Sequence, residues 1–468
     1  MQNVLEFCFQ CLGCAEFLDL KEAYSFFQTC SPFRFKCLPK YIVPFQFSLD
    51  RLLEIHENTT LKPRFPYVAV TQMLSNSFKS LEKDKLEMFR VLGANLKCLE
   101  LSLDGFCHTR LLKLIISEML DLKELQIFGY NKNGVSLFKN DFLNGLNALT
   151  SLMNLTKITL SMPYFDDHVL ARITSIVESN PALKDIDVVF DESLKFDKKV
   201  FQEFTSALGK SIECVSLKRL HPLCLLWLLE SLGENKSIKC FDVIGSFKKE
   251  NMDTLGQSLA KNTQIEVLNF YGDAFNDIEV GRIFEFLPLN SSLSAMHFTS
   301  IVFINQIGFD AMVNCVANNR IRKLHSLTLN NCVFPIGGHR QIFNAFNTNS
   351  TIQYLRFVHN TDITVDDEEA YEDIPPFEMV SKLLQMNSKM HSLHFSHTKI
   401  FDENVMLFFP GLLINTTLTL LNLSGNQFDA VDEVYEKMQR SLKGNTALRH
   451  IWFDADTYPS IDRKERAW

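Results

Sequence analysis

Three histidines spaced by three, His391, His394 and His397, have the residue type and density of a metal site. Their register argues otherwise. His391 and His394 fall on either side of Leu393 in a strand-like stretch, and His397 lies past the turn that follows. A strand sends i and i+3 to opposite faces, so the three rings are not expected to converge. Cys8, Cys11 and Cys14, with Cys30 and Cys37 downstream, have the donor count of a tetrahedral zinc site. The second C-x-x-C knuckle is missing, however, and Cys8 and Cys11 sit on the apolar face of a helical stretch, where cysteine serves as a small buried residue. Gly209-Lys210-Ser211 has the tail of a phosphate-binding loop, but position 204 is Phe rather than Gly and no strand feeds it. Residues 361–376, TDITVDDEEAYEDIPP, hold seven carboxylates and no basic side chain. They lack the D-x-[DN]-x-[DN]-G order of a calcium loop and read as a solvated insertion. No H-E-x-x-H, G-x-S-x-G or G-x-G-x-x-G occurs. The chain is therefore not read as an enzyme, and no metal and no cofactor are expected.

What remains is a periodic framework. Leu418 to Phe428, LTLLNLSGNQF, places leucines at 418, 421 and 423, asparagine at 426 and phenylalanine at 428. The alternation Leu421-x-Leu423 marks a short strand with one buried face. Asn426 can satisfy backbone groups where that strand turns away. The same anchor begins at Leu96, Leu122, Leu155, Leu183, Ile212, Ile238, Ile265, Leu293, Leu324, Ile352, Met390, Leu418 and Leu448. The spacings run from 26 to 38 residues and are most often 28, which leaves room for one helix between successive strands. Several helical stretches end in one wording ahead of the next anchor: Asn180-Pro-Ala-Leu, Asn290-Ser-Ser-Leu, Asn349-Ser-Thr-Ile, Asn415-Thr-Thr-Leu and Asn445-Thr-Ala-Leu. Asparagine tolerates the left-handed backbone that ends a helix, and that tolerance accounts for its recurrence.

The register L-x-x-L-x-L-x-x-N-x-L resembles that of leucine-rich-repeat proteins, and a 28-residue period is similar to the ribonuclease-inhibitor-like class of that family. The resemblance implies an α/β solenoid, a horseshoe with parallel strands on its concave face and helices outside, preceded by a small helical N-terminal segment. Strands at roughly 4.8 Å would give an inner wall about 60 Å long. Its polar and aromatic lining would include Glu100, Glu124, Gln126, Asp185, Asp187, Lys218, Asp242, Asn269 and Asn330. Tyr271, His297, Tyr354, Arg356, His394, Asn422, His450 and Trp452 are its candidate partner-binding residues, because tyrosine, tryptophan and arginine carry most binding energy at protein interfaces.

Composition narrows the partners. A net charge of −8 supplies no basic excess to neutralise phosphates, so nucleic acid is not expected on this surface. No uninterrupted apolar run is long enough to span a bilayer, so no membrane association is expected. The apolar N-terminus lacks a positive leader region and is interrupted by Glu6 and Glu16, unlike a signal peptide. Twelve scattered cysteines fit reduced thiols in cytosol or nucleus better than a disulfide framework.

At the N-terminus, Asp19 with Glu22 forms a capping box, and Leu20, Ala23, Tyr24, Phe27 and Cys30 follow helical spacing until Pro32. Phe17-Leu18-Asp19-Leu20-Lys21-Glu22 and Gln28-Thr29-Cys30-Ser31-Pro32-Phe33 resemble the middle of an F-box, although its leading Leu-Pro is absent. That resemblance implies docking on a Skp-type adaptor of a cullin-RING ubiquitin ligase through Leu18, Leu20, Tyr24, Phe27 and Phe33. The same helices would equally serve as a cap over the first repeat's open apolar edge, which a solenoid requires. The expected organisation is an F-box-like segment over 1–40, a linker and helical lead-in over 41–95, about 13 repeats over 96–455 and a tail over 456–468. The expected function is protein binding, as the substrate-recognition subunit of an SCF-type ligase or as a non-ligase scaffold.

Overall fold

The computed structural model describes residues 98–103, 121–129, 139–161, 165–244, 249–272, 277–303, 306–362, 377–398, 402–426 and 432–452. The chain divides into two compact units, Met1–Asp191 and Glu192–Trp468. In the first, β1 (Cys98–Leu103), β2 (Glu124–Gly129), β3 (Lys157–Ser161) and β4 (Asp185–Val189) pair in parallel, in chain order. The helices α1 (Lys139–Ala148) and α2 (Asp167–Ser179) return the chain between them.

The second unit repeats the scheme. Its parallel sheet runs β5 (Cys214–Lys218), β6 (Cys240–Val243), β7 (Val267–Tyr271), β8 (Ala295–Thr299), β9 (Ser326–Asn330), β11 (Tyr354–Val358), β13 (Ser392–His394), β14 (Leu420–Asn422) and β15 (His450–Trp452). The short strands β10 (Val333–Phe334) and β12 (Thr361–Asp362) pair separately, just past the turns of their repeats. The helices are α3 (Lys198–Ser211), α4 (Pro222–Leu232), α5 (Lys249–Lys261), α6 (Asp277–Phe286), α7 (Gln306–Ala317), α8 (Gly338–Thr348), α9 (Phe377–Met386), α10 (Asp402–Ile414) and α11 (Asp432–Gly444). Gly209-Lys210-Ser211 closes α3 rather than opening a helix, which removes any phosphate-loop geometry. Each unit has the architecture of an α/β leucine-rich-repeat solenoid.

Each strand begins two residues after its anchor, from Leu96 and Cys98 to Leu448 and His450. The physical reason is the alternation of the strand. In β7, Leu268 and Phe270 are buried while Val267, Asn269 and Tyr271 are not, so the residues three and five beyond the anchor point toward the helices. Phenylalanine takes the second of these positions in β7, β8 and β11, and at Phe395 just beyond β13. Phe270 and Phe298 stack at 5.0 Å, and Phe357 packs against Phe334, Phe343 and Phe395 at 5.2–6.0 Å. Truncating a fully buried ring of this kind to alanine costs about 3–5 kcal/mol, so Phe357→Ala removes a large part of the local cohesion.

The recurrent asparagine works differently from the expectation. Asn290 and Asn349 end their helices at φ −75° and −73° with extended ψ, and Asn180 lies at φ −110°. None is left-handed. The side chain is what is required. Asn349 Oδ1 accepts from the N–H groups of Thr351 and Ile352, while its Nδ2 donates to the Val316 carbonyl of the preceding repeat. Asn290, Asn415 and Asn445 do the same, as do Asn262 and Asn387, which stand in other wording. One buried amide thus satisfies backbone groups of two repeats, which no other side chain of its size provides.

Left-handed backbone is found once past a helix, at Asn319 after α7, and at Gly337 ahead of α8, but it recurs seven residues past the anchor, where the chain leaves the strand. Arg219, Ser300, Asn331, His359, His397 and Gly425 all have φ between 51° and 72°. One residue further on, Asn426 Oδ1 accepts from Thr398 N–H and its Nδ2 donates to the carbonyls of Phe395 and Leu423. Asn360 plays the same part for Cys332 and Leu329.

Candidate protein-binding face

The strand positions two, four and six past each anchor form the sheet face turned away from the helices. In the first unit this face is charged and paired. Lys157 on β3 meets Asp185 on β4 at 2.9 Å. Burial alone would lower the Lys157 ammonium, but its hydrogen bond and charge contact with Asp185 outweigh that and raise it. Glu124 and Gln126 lie on β2, and Asp187 lies on β4. A half-exposed pair of this kind contributes little stability and already has its partner.

In the second unit the face changes character along the sheet. Lys218 ends β5. Asn269 Nδ2 on β7 donates to Asp242 Oδ1 on β6 at 2.6 Å, and just ahead of β6 and β5 Lys239 pairs with Glu213 at 2.8 Å. Cys214 and Cys240, register partners on β5 and β6, form no disulfide, and burial, first among several causes, pushes Cys240 up to about 12. From β8 onward the main-sheet strands β8, β9, β11, β13, β14 and β15 carry no carboxylate. The central row there reads His297, Thr328, Arg356, His394, Asn422 and Trp452 across β8, β9, β11, β13, β14 and β15. The row before it reads Ala295, Ser326, Tyr354, Ser392, Leu420 and His450.

Within this patch some groups are tied to one another. His297 Nδ1 lies 2.7 Å from Thr328 Oγ1. Asn422 donates toward His394 Nδ1 at 3.4 Å and accepts from the Ser424 N–H and hydroxyl, so it is held within the sheet. His394 Nε2 lies 3.1 Å from Ser392 Oγ, and its ring meets Trp452 edge-on at 6.1 Å. Burial, then the nearby Arg356 charge, holds both His297 and His394 below the ordinary imidazole value; for His297, Asp242 acts weakly in the opposite direction.

Other groups are left open. Arg356 is exposed and has no ion pair with any described carboxylate. Tyr354 is 48% exposed and Trp452 51%, and His450 is exposed beside them. Tyr271, at the end of β7, is exposed too but is not open in this sense, because it has a contact of its own. Large aromatic surfaces next to an unpaired guanidinium, on rigid strands, are the chemistry of a protein interface.

The eight candidate partner-binding residues named from the sequence therefore lie on the same side of the second unit's sheet. Thr328 and His325 escaped the sequence reading. Thr328 holds His297, and His325 packs edge-on against Tyr354 at 6.2 Å. The register could have found Thr328, four residues past Leu324 as Arg356 is past Ile352. The three spaced histidines are dispersed: His391 Nδ1 contacts the Lys389 carbonyl at 2.6 Å, His394 joins the face, and His397 stacks on His359 at 4.8 Å. Among the described residues no group of three potential ligands could hold a metal ion. Leu18, Leu20, Tyr24, Phe27 and Phe33, with the cysteines of the first 37 residues, lie outside the described residues.

No protein-family model matches the chain, and no curated protein matches it. Among solved structures it is similar to TLR13 in complex with the single-stranded RNA ssRNA13, at 12% identity and a TM-score of 0.37, over 82% of this chain and 58% of that one. A protein from Bacteroides fragilis is similar at 11% identity and a TM-score of 0.35, over 60% of this chain and 68% of that one. The chain thus spans under two thirds of the TLR13 chain. Among the described residues no helix is long and apolar enough to cross a membrane.

Proposed function

We propose that this chain is a non-catalytic protein-binding subunit that holds its partner on the strand face of β8 to β15. The observation that carries this reading is Arg356, exposed and without an ion pair, on the same face as the exposed rings of Tyr354 and Trp452. A rigid sheet supplies such groups at little ordering cost on binding, which is why repeat scaffolds bind proteins well. The finer reading is a substrate receptor of an SCF-type ubiquitin ligase. It rests on the wording of residues 17–33, through which Leu18, Leu20, Tyr24, Phe27 and Phe33 would dock on a Skp-type adaptor with its cullin. Transfer of ubiquitin would be done by other subunits, and this chain would contribute proximity. The rival is a scaffold of the same face in the cytosol or nucleus, with residues 1–40 serving only as a cap.

Affinity capture tests the two levels separately. The binding reading expects captured protein to be lost on combining Arg356→Glu with Trp452→Ala and retained in Lys382→Glu on the helix side. Capture indifferent to the first variant overturns it. The ligase reading expects a purified Skp-type adaptor to bind the full chain and to be released by Leu18→Asp with Leu20→Asp. No complex, or one unaffected by that pair, leaves the scaffold.

A further inference from the structure

The strip from β8 to β15 has an unusual charge content. The described positions of its strands β8, β9, β11, β13, β14 and β15 hold one fixed cation, Arg356, and no carboxylate. His297 and His394 on the same row are held below the ordinary imidazole value, first by burial and then by Arg356 itself, so they add little positive charge near neutral pH. Around Arg356 the surface is aromatic or neutral and polar: Tyr354 and His325 on one side of it, Thr328 and His394 beside it, Trp452 beyond. One guanidinium matches one carboxylate, which it grips through two parallel hydrogen bonds. A run of phosphates or a polyglutamate tract needs several cations in a row and would leave most of its charge unpaired here.

Resting on the binding reading above, we propose that the occupant is a protein segment that brings a single Asp or Glu to Arg356, flanked by aromatic or aliphatic side chains that cover Tyr354 and Trp452. Charge complementarity sets the acid. The exposed rings set its neighbours, because a carboxylate desolvated beside aromatic surface binds arginine more strongly than one in water. Geometry sets the length. Five strand-to-strand steps of roughly 4.8 Å cover about 24 Å, so an extended segment of about seven residues crosses the strip. The acidic insertion of this chain is a different case. Its first carboxylate, Asp362, is buried under the first turn of α8, where both oxygens accept the His339 N–H, and the others follow in a run rather than singly.

The test is selection of a displayed random library of peptides about twelve residues long on the immobilised full chain, followed by titration of resynthesised binders. Wild type is compared with Arg356→Gln, Tyr354→Ala and Trp452→Ala, with octaglutamate and oligouridylate as polyanion probes. Selected peptides are expected to share one acidic residue among apolar ones and to lose roughly 30-fold in affinity on Arg356→Gln. Replacing the peptide's acid by alanine should cost as much on wild type and nothing further on Arg356→Gln. Binders sensitive to Tyr354→Ala and Trp452→Ala but indifferent to Arg356→Gln overturn the carboxylate and leave the face standing. Binders indifferent to all three substitutions, or no binders, overturn the face as well. Octaglutamate or oligouridylate binding more tightly than the selected peptides replaces the single acid by a polyanion.

Discussion

Asn387 donates from Nδ2 to the main-chain carbonyl of Asn349, one repeat earlier, at 3.1 Å. Asn349 in turn donates to Val316 at 2.7 Å, and Asn415 to Leu384 at 2.6 Å. Successive repeats are therefore joined by a line of buried amides as well as by the sheet.

That line is a stability device with a measurable weight. Asn349→Ala leaves the Thr351 and Ile352 N–H groups without their acceptor and takes from the Val316 carbonyl one of its two donors, the Asn319 N–H remaining. Each stranded group costs about 1–3 kcal/mol. Urea unfolding should show a loss of about 3 kcal/mol or more. Asn349→Asp keeps the acceptor and loses the donor, and should cost less than alanine if the two N–H contacts dominate. Equal loss in both would place the weight on Nδ2.

Gly425 holds φ +72°, and an added Cβ would sit 2.1 Å from His397 Nδ1. Gly425→Ala should therefore destabilise by more than the roughly 1–2 kcal/mol cost of left-handed backbone alone. The double variant with His397→Ala relieves the collision. It should recover the steric part and leave the backbone part, read as a difference in denaturant midpoint.

Asp362 meets His339 Nδ1 at 2.6 Å, and both side chains are almost fully buried, the His339 ring edge-on to Phe334 and Phe357. Removing one member of such a pair strands the other. Asp362→Ala should cost about 3 kcal/mol and should loosen the first turn of α8, where hydrogen exchange of the His339 amide reports directly.

His297 and His394 impart an acid-side dependence. Their folded values lie below the ordinary value of 6.5, so below that pH the unfolded chain binds more protons than the folded one. The stability linked to them is complete above about pH 6.5 and is lost as pH falls through their folded values. Replacing both by Gln should flatten the fall of Tm below that pH. Arg356→Gln should raise both imidazoles in an NMR titration, since Arg356 is a shared cause; no movement in either ring would contradict the arrangement.

Much of this fold could be read directly from the chain. Leucine and its substitutes, three and five residues past each anchor, must face the helices, so the strand starts and the outward rows followed from counting. The recurrent asparagines were legible as joints but not as to cause. Their composition suits a left-handed turn and a bridging amide equally, and only their φ values and partners separate the two. The left-handed positions were obscured because Arg219, Ser300, Asn331, His359 and His397 share no side-chain chemistry. On the face, residue types pointed to Arg356, Tyr354 and Trp452. That Asn422 is held within the sheet while Arg356 is not depends on neighbours in other repeats, which no local pattern encodes.

The central claim, that a protein lies on the strand face of β8 to β15, is tested most directly by site-specific photo-crosslinking in cell extract. A photoreactive residue is placed at Tyr354, at Trp452, or at Lys382 on the helix side. The account predicts discrete protein adducts from positions 354 and 452 and none from 382. Adducts from 382 alone, or from neither face position, would contradict it.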